Sequence, residues 1–301
     1  MKKIAYSKIN LTLEILGTKR GDGFHDISSV MHKIPLGDEI KLDVSLSGEG
    51  KTELVCSDKG LCDIEDNLAY KASQLYLEEY FNATGNKADV KIELNKKTPS
   101  GAGLGGGSAD AACVLDMLYT MLGKVSKEKT ELLASRLGSD VVFCLDRYKS
   151  AVCTGRGEIC RNIEVLPKNI FLAVLKPYKS IDTRGIYKEY DSLYGDDYSK
   201  TETFAMEKAL EDGSADKICS LLMNDFQPIC EKRLQEIALL CENLRKLGAV
   251  GSLMSGSGSA VYGIFTEEAL CRDGVKKTEK EYNINSFVFT PEDFEKMYCG
   301  E

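Results

Sequence analysis

Apolar and polar residues alternate over much of the first third of the chain, which is the pattern of strands with one buried face. The alternation predicts strands over residues 4–16, 39–46, 52–56 and 88–94. Apolar residues instead recur at helical spacing over residues 67–81, where Asp66 or Asn67 is available as the N-cap. The beginning of the chain therefore combines a sheet with at least one helix.

Further along, helical spacing dominates and short strands interrupt it. The pattern predicts helices over residues 108–122, 127–137, 207–223 and 231–247, and strands over 170–175 and 260–265. The helix over 127–137 ends at Gly138, which places Asp140 at a junction between elements. We therefore predict a two-domain α/β chain of the α+β class, with domains over residues 1–165 and 166–301.

Composition narrows the class of protein. The 301 residues are 43% hydrophobic and 29% charged, as in an ordinary globular enzyme. The net charge of −8 is spread along the chain without a basic run, which argues against a nucleic-acid partner. No apolar run approaches the length of a membrane span, so we expect a cytoplasmic protein without membrane contact. The eleven cysteines include no Cys-x-x-Cys pair, and we expect buried thiols.

A glycine-rich segment over residues 99–108 precedes the helix predicted over 108–122 and carries five glycines within seven residues. Glycines let backbone N–H groups approach a ligand that a Cβ atom would push away. The helix that follows adds unpaired N–H groups and a partial positive charge at its N-terminus. Phosphate is the natural ligand of such a segment.

Three other interpretations of this segment are weaker. Gly101, Gly103 and Gly106 satisfy G-x-G-x-x-G, but a Rossmann unit should begin a βαβ unit, and here the following helix leads to another helix. A P-loop needs Gly-Lys-Ser/Thr, which the chain lacks. A flexible linker is disfavoured by Pro99 and by the well-patterned helix. We therefore favour a phosphate cradle.

Three segments, residues 7–11, 99–112 and 254–261, resemble the three signatures of the GHMP kinases in composition, order and spacing. Together with residues 22–26 and 138–141, they resemble most closely the members that act on 4-diphosphocytidyl-2-C-methyl-D-erythritol. The resemblance spans nearly the whole chain. It implies a GHMP kinase fold, with an N-terminal domain like ribosomal S5 domain 2 and a C-terminal ferredoxin-like sandwich.

The same resemblance implies an activity. ATP would phosphorylate the 2-hydroxyl of the cytidine diphosphate methylerythritol, giving the 2-phosphate and ADP, in the non-mevalonate route to isoprenoids. Mg²⁺ should accompany ATP, and no residues are assigned to it. The expected partner is this small molecule, and the expected assembly is a monomer or weak homodimer.

The resemblance also assigns residues to the reaction. Asp140 would take the proton of the attacking hydroxyl, and Lys8 would favour the charged form of Asp140 and stabilise charge on the transferring phosphoryl group. The adenine side would involve Asn67, Leu68 and Lys96. The phosphates would be held by Pro99, Ser100, Gly101, Ala102, Gly103, Leu104, Gly105, Gly106, Gly107 and Ser108.

For the cytidine end, the resemblance suggests that Asn10 and His25 hydrogen-bond the base while Phe24 and Tyr187 stack on its two faces. Thr183 would lie near the methylerythritol. An aromatic slot with polar groups at its edge suits a nucleobase.

Two alternatives remain open. Another GHMP kinase, acting on homoserine, mevalonate or a sugar, would share the fold and the ATP loop, and Phe24, His25 and Tyr187 distinguish it. A non-catalytic member would use the same pocket for sensing or partner binding. The presence of Lys8 and Asp140 argues against that second alternative.

Overall fold

The computed structural model describes residues 1–17, 21, 23–46, 48–181, 183–194 and 203–300. The chain forms two compact units, each assembled from several stretches. Unit 1 comprises Met1–Ser7, Leu36–Ser100 and Gly105–Tyr148, and unit 2 comprises Lys8–Pro35, Gly101–Leu104 and Lys149–Glu301. These units do not correspond to one cut in the sequence, and the predicted division after residue 165 stays a prediction.

Strands occur in both units. In the described residues they are β1 (Lys2–Leu16), β2 (Asp26–Ser45), β3 (Thr52–Cys56), β4 (Asp89–Asn95), β5 (Ser150–Thr154), β6 (Ile159–Asn162), β7 (Phe171–Pro177), β8 (Met223–Asn224), β9 (Gly251–Met254), β10 (Val261–Phe265) and β11 (Ile284–Phe289). The first two are long and contribute residues to both units.

Helices likewise occur in both units. The described ones are α1 (Leu68–Thr84), α2 (Gly106–Leu122), α3 (Lys127–Leu137), α4 (Ser139–Cys144), α5 (Thr183–Tyr194), α6 (Thr203–Glu211), α7 (Ala215–Ser220), α8 (Gln227–Arg233), α9 (Glu236–Lys246), α10 (Glu268–Glu281) and α11 (Pro291–Cys299). A short 3₁₀ helix spans Ile64–Asp66. Within the described residues, none of the helices has the length and apolar character that crossing a membrane requires.

Unit 1 packs helices α1 to α4 beside a sheet. Strand β4 pairs in parallel with β3 and antiparallel with the second half of β2. Along β4, Val90, Ile92 and Leu94 are buried while Lys91 and Glu93 are exposed, as the alternation predicts. The glycine-rich segment follows β4 and leads into α2, so this unit positions both ends of that segment.

Unit 2 contains an antiparallel sheet in the order β11-β7-β10-β9. Counted along the chain as first to fourth from β7, the strands therefore lie in the order fourth, first, third, second. Helices connect the first to the second and the third to the fourth, which is the β-α-β-β-α-β arrangement of a ferredoxin-like domain. The predicted ferredoxin-like part of the chain is confirmed.

Several predicted elements agree with the structure, and two helices do not. The predicted helix over 127–137 is α3, with Ser126 as its N-cap. The single helix predicted over 207–223 is wrong, because Gly213 adopts a left-handed φ of 66° and Ser214 caps a new helix, α7. The helix predicted over 231–247 is likewise divided, into α8 and α9. Local caps and glycine conformation override a continuous apolar pattern in this part of the chain.

The strand predicted over 39–46 is the end of a much longer one. Strand β2 runs for 20 residues from Asp26 to Ser45, and its first half is almost entirely buried. A strand buried on both faces carries no polar alternation, so the pattern could not reveal where it begins.

Candidate active site

The exit of the glycine-rich segment lies in unit 1, where it becomes helix α2. Gly105 is the N-cap with a left-handed φ of 69°, and no side chain caps the helix. A Cβ atom on Gly106 would lie 2.9 Å from Thr98 Cγ2, so a side chain there would collide with the residue that precedes Pro99. Helix α2 thus begins at glycines without a side-chain cap, and such a helix N-terminus suits an anionic ligand.

The centre of the segment, Gly101–Leu104, lies in unit 2 and packs against the loop before β10. A Cβ on Gly103 would lie only 2.1 Å from Ser255 O, so no side chain fits at that position. Ser255 Oγ donates to Gly103 O at 3.0 Å, and Ala260 N donates to Ala102 O at 3.0 Å. The third family-like motif and this centre therefore meet in one unit.

Lys8 lies beside this centre, on strand β1. Its N–H donates to Leu104 O at 2.9 Å, and its ammonium donates to Asn10 Oδ1 at 2.7 Å. A Cβ on Gly256 would lie 3.3 Å from Lys8 Nζ. The residue is 3% exposed, so a buried cation lies beside the glycine-rich loop that contains Gly256.

Asn10 is held within the protein through both groups of its amide. Oδ1 accepts from Lys8, and Nδ2 donates to Ser29 Oγ at 2.8 Å. Ser29 Oγ in turn donates to Thr12 O at 2.6 Å. These bonds fix the orientation of Asn10 and, through it, the Lys8 ammonium. The predicted contact of Asn10 with a cytosine stays a prediction.

Asp140 lies in the first turn of helix α4, directly after Gly138 and Ser139. It is half-buried. Carboxylates are stabilised at such positions by the unpaired N–H groups of the first turn. Asp140 belongs to unit 1 and Lys8 to unit 2. The predicted pairing of the two residues stays a prediction.

The residues predicted for the base include an exposed ring and a buried one. Phe24 is 53% exposed, and the Arg156 guanidinium lies 5.0 Å from its ring centre. His25 is buried, and its ring stacks on Tyr187 with centroids 5.7 Å apart. Sequence reasoning missed Asp191, whose Oδ1 lies 2.7 Å from His25 Nε2.

The spacing of Asp191 could have indicated this contact, since it lies one helical turn after Tyr187 on α5. Tyr187 is itself held edge-on by Phe226, with ring centroids 4.7 Å apart. The structure therefore brings His25 and Tyr187 together within unit 2. Asp22 and the side chain of Thr183 lie outside the described residues.

Two residues predicted for the adenine side lie at the start of helix α1. Asn67 is its N-cap, and Asn67 Oδ1 accepts from Ala69 N at 3.0 Å. Leu68 Cδ1 lies 3.7 Å from the point where a Cβ on Gly107 would stand, so Leu68 borders the start of α2. Both residues therefore have structural roles, and their contact with a nucleotide stays a prediction.

Lys96, the third residue predicted for the adenine side, lies between two buried carboxylates. Its ammonium forms ion pairs with Asp38 and, at 2.7 Å, with Asp110. The pKa of Lys96 is raised: burial lowers it, but the two carboxylates outweigh burial.

Asp110 shares the Lys96 ammonium with Asp38. Burial, with repulsion from Asp38, raises the pKa of Asp110 to about 7 despite Lys96. Asp110 Oδ1 has no hydrogen-bond partner among the described residues. Asp38 also accepts the backbone N–H groups of Lys97 and Thr98.

A metal site cannot be assigned to particular residues. Among the described residues, no three His, Cys, Asp or Glu side chains gather closely enough to hold a metal ion. The ligands of Mg²⁺ therefore stay unassigned, as they are in the sequence.

Comparison with protein families places this site in a known context. The model of the GHMP kinase N-terminal domain matches residues 67–147, and that of the GHMP kinase C-terminal domain matches residues 206–276. The first range contains the glycine-rich segment, helix α2 and Asp140.

Curated relatives match over nearly the whole chain. The 4-diphosphocytidyl-2-C-methyl-D-erythritol kinase of Thermoanaerobacter pseudethanolicus is 37% identical, with 98% of each chain covered. The enzyme of the same name from Desulfitobacterium hafniense is 36% identical, with 94% of each covered.

Solved structures agree with these relatives. A crystal structure of 4-(cytidine 5'-diphospho)-2C-methyl-D-erythritol kinase superposes with a TM-score of 0.76 at 28% identity, covering 96% of this chain and 98% of the other. Homoserine kinase from Cytophaga hutchinsonii, at 17% identity and a TM-score of 0.68, covers 96% and 93% and shares the fold. The chain thus belongs to the GHMP kinases and, among them, to the family of its 4-diphosphocytidyl-2-C-methyl-D-erythritol kinase relatives.

Proposed function

We propose that this chain transfers the γ-phosphoryl group of ATP to the 2-hydroxyl of 4-diphosphocytidyl-2-C-methyl-D-erythritol, giving the 2-phosphate and ADP. The observation that carries the proposal is the buried Lys8 ammonium beside Gly256, with Gly103 packed on the same loop. A buried cation next to backbone that excludes side chains suits a phosphate chain. The identity of the alcohol substrate is proposed from the names of the relatives.

Residues 99–108 would hold the phosphates through backbone N–H groups, chiefly those at the start of α2. The cradle suits this role because a Cβ on Gly103 or Gly106 would collide with Ser255 O or Thr98 Cγ2. Mg²⁺ would supply further neutralisation of phosphate charge when bound with ATP. Asn67, Leu68 and Lys96 would border the adenine side.

Lys8 and Asp140 would act on the reacting atoms. In the loose transition state of phosphoryl transfer, charge spreads over the oxygens of the transferring group, and the Lys8 ammonium would stabilise it. Asn10 would hold that ammonium in place through its 2.7 Å hydrogen bond. Asp140 would accept the hydroxyl proton late in the transfer, when the oxygen has become acidic.

Phe24 and Tyr187 would stack on the cytosine, and His25 would hydrogen-bond its edge. The 53% exposure of Phe24 leaves ring surface for a ligand. The bond from His25 Nε2 to Asp191 would orient the imidazole. Thr183 would contact the methylerythritol. We further propose a cytoplasmic monomer or weak homodimer in the non-mevalonate isoprenoid route.

The test measures ADP release by the purified chain with ATP and Mg²⁺, using the cytidine diphosphate methylerythritol, homoserine, mevalonate and galactose. We expect turnover with the first alone. Turnover with another alcohol would keep the kinase chemistry and contradict the cytidine pocket, and turnover with none would favour a non-catalytic member.

Phe24→Ala sharpens the assignment of the pocket. Base stacking on an aromatic ring contributes about 1–3 kcal/mol, so the KM for the cytidine substrate should rise roughly fivefold or more while the KM for ATP is unchanged. Phe204→Ala is the matched control, because Phe204 is 75% exposed on α6 and has no assigned role. An unchanged substrate KM in Phe24→Ala would contradict stacking at this position.

A further inference from the structure

We propose that Asp38, Lys96 and Asp110 form a charged clasp that positions the two ends of the glycine-rich segment for nucleotide binding. In this role they are positioning residues and act through the backbone of residues 99–108. The inference rests on the proposed use of ATP at that segment. It does not depend on which alcohol is phosphorylated.

The entry side of the clasp is Asp38, on strand β2, whose side chain is fully buried. Asp38 Oδ1 accepts from Lys97 N at 2.5 Å and from Thr98 N at 2.7 Å, the last two N–H groups before Pro99. Asp38 Oδ2 accepts from the Lys96 ammonium. One carboxylate thus binds three consecutive residues at the point where the segment begins.

The exit side is Asp110, four residues into helix α2 after Gly106. Its Oδ2 accepts from Lys96 Nζ at 2.7 Å, and its side chain is 3% exposed. The Lys96 ammonium therefore connects the strand before the segment to the helix after it. All of these groups belong to unit 1.

The segment between these ends needs such a constraint. Gly101, Gly103 and Gly105 all have a positive φ, between 61° and 74°, and glycine backbone has few steric limits of its own. Directing several N–H groups at one phosphate chain requires that both ends be held at a fixed separation, because small displacements of binding groups are costly.

Stability alone does not account for the clasp. Burying three charged side chains is expensive, and apolar replacements of such groups are often equally stable. Asp110 adds to this cost, because its Oδ1 lacks a hydrogen-bond partner among the described residues. Buried ion pairs are weak evidence for stability, and this cluster ties two ends of a binding segment, so its geometry points to a positioning role.

The experiment compares binding of the Mg²⁺ complex of the non-hydrolysable analogue adenylyl imidodiphosphate by calorimetry, using the full chain and three variants. Asp110→Ala removes the exit-side acceptor and should weaken binding at least about tenfold. Asp110→Asn keeps an acceptor for Lys96 and should stay within about threefold of the parent chain. Lys97→Met changes the neighbouring exposed lysine, paired with Glu39, and should leave binding unchanged.

The same variants separate the clasp from a direct contact between Lys96 and nucleotide. Asp110→Ala frees the ammonium from one carboxylate, so a direct contact predicts binding as tight as before or tighter. That result in a folded Asp110→Ala chain, checked by thermal unfolding, would overturn the clasp, as would equal losses in Asp110→Ala and Asp110→Asn. Absence of analogue binding by the parent chain would also overturn it.

The outcome is independent of the alcohol that the enzyme uses. A chain that binds the analogue but does not turn over the cytidine diphosphate methylerythritol would contradict the proposed function and still report on the clasp. A chain that turns over that substrate while Asp110→Ala binds the analogue normally would contradict only the clasp.

Discussion

The centre and the ends of the glycine-rich segment are fixed by different physical means. At the centre, Gly103 is pressed against Ser255 O so closely that a Cβ would lie 2.1 Å away. At the ends, Asp38, Lys96 and Asp110 hold the backbone through buried charges. The centre therefore depends on the exclusion of side chains, and the ends depend on buried side chains that accept hydrogen bonds from Lys96 and the backbone. They should respond to different perturbations, the centre to added volume and the ends to removal of those acceptors.

The largest effect should come from Lys8, the cation beside the centre. Lys8→Met keeps the length of the side chain and removes the charge, so kcat should fall roughly a hundredfold to a thousandfold through loss of transition-state stabilisation. The KM for ATP should change much less. Steady-state kinetics with both substrates measures this split.

Lys2→Met is the control for that variant, because Lys2 lies on the same strand with 68% of its side chain exposed. Its kinetics should match those of the parent chain. A fall confined to ATP affinity in Lys8→Met, with normal kcat, would mean that Lys8 only shapes the centre of the segment.

The next effect is steric. In Gly103→Ala the new methyl group collides with backbone at Ser255, and the φ of 74° adds conformational strain. The centre must move by the order of 1 Å, and we expect affinity for adenylyl imidodiphosphate to fall roughly a hundredfold.

Gly85→Ala isolates the strain from the collision. Gly85 has a φ of 71° at the end of α1, and nothing lies within 4 Å of a Cβ there. It should lower the free energy of unfolding by about 1 kcal/mol and leave nucleotide affinity unchanged. Equal affinity losses in the two variants would show that conformational strain, rather than close packing on Ser255, controls the centre.

The same contrast explains what the sequence could and could not predict. A position that admits no side chain is occupied by glycine, and glycine can be read directly from the sequence. The glycine-rich segment, its helix and the third motif could therefore all be identified. The clasp could not be identified, because Asp38 and Lys96 are 58 residues apart in the chain. The sequence also does not distinguish a buried charged residue from an exposed one. The bond between His25 and Asp191 joins a loop to a helix far along the chain, and the only sequence signal for it was the spacing of one helical turn between Tyr187 and Asp191.

Motif resemblance nevertheless identified the ferredoxin-like part of the chain, which local patterns alone could not. The helices predicted over 207–223 and 231–247 show the opposite limit. Apolar spacing continues through Gly213, but the glycine's left-handed backbone ends one helix before Ser214 begins the next. Hydrophobic periodicity shows which face of a helix is buried. It does not reveal a break between two consecutive helices that bury the same face.

The last expected effect concerns stability alone and leaves rate and affinity aside: it is a change in how stability depends on pH at the ends of the segment. Burial raises the pKa of Asp110 from 3.8 to about 7, so the folded chain binds this proton more tightly than the unfolded chain does. The resulting stability is fully present below about pH 3.8 and is lost as pH rises through about 7. Between pH 5 and pH 8 the parent chain should therefore lose stability relative to Asp110→Asn, by at most about 1.4 kcal/mol per pH unit.

A buried histidine in unit 2, His32, is a control, because its contribution to stability should change with pH in the opposite direction. Burial lowers the pKa of His32 to about 4, and its Nε2 lies 3.0 Å from both Leu166 N and the Tyr298 hydroxyl. The parent chain should therefore lose stability relative to His32→Gln as pH falls below about 6.5, whereas the loss through Asp110 occurs as pH rises. Denaturant unfolding across this range distinguishes the two. A difference between the parent chain and Asp110→Asn that stays constant with pH would mean that Asp110 is ionised throughout this range.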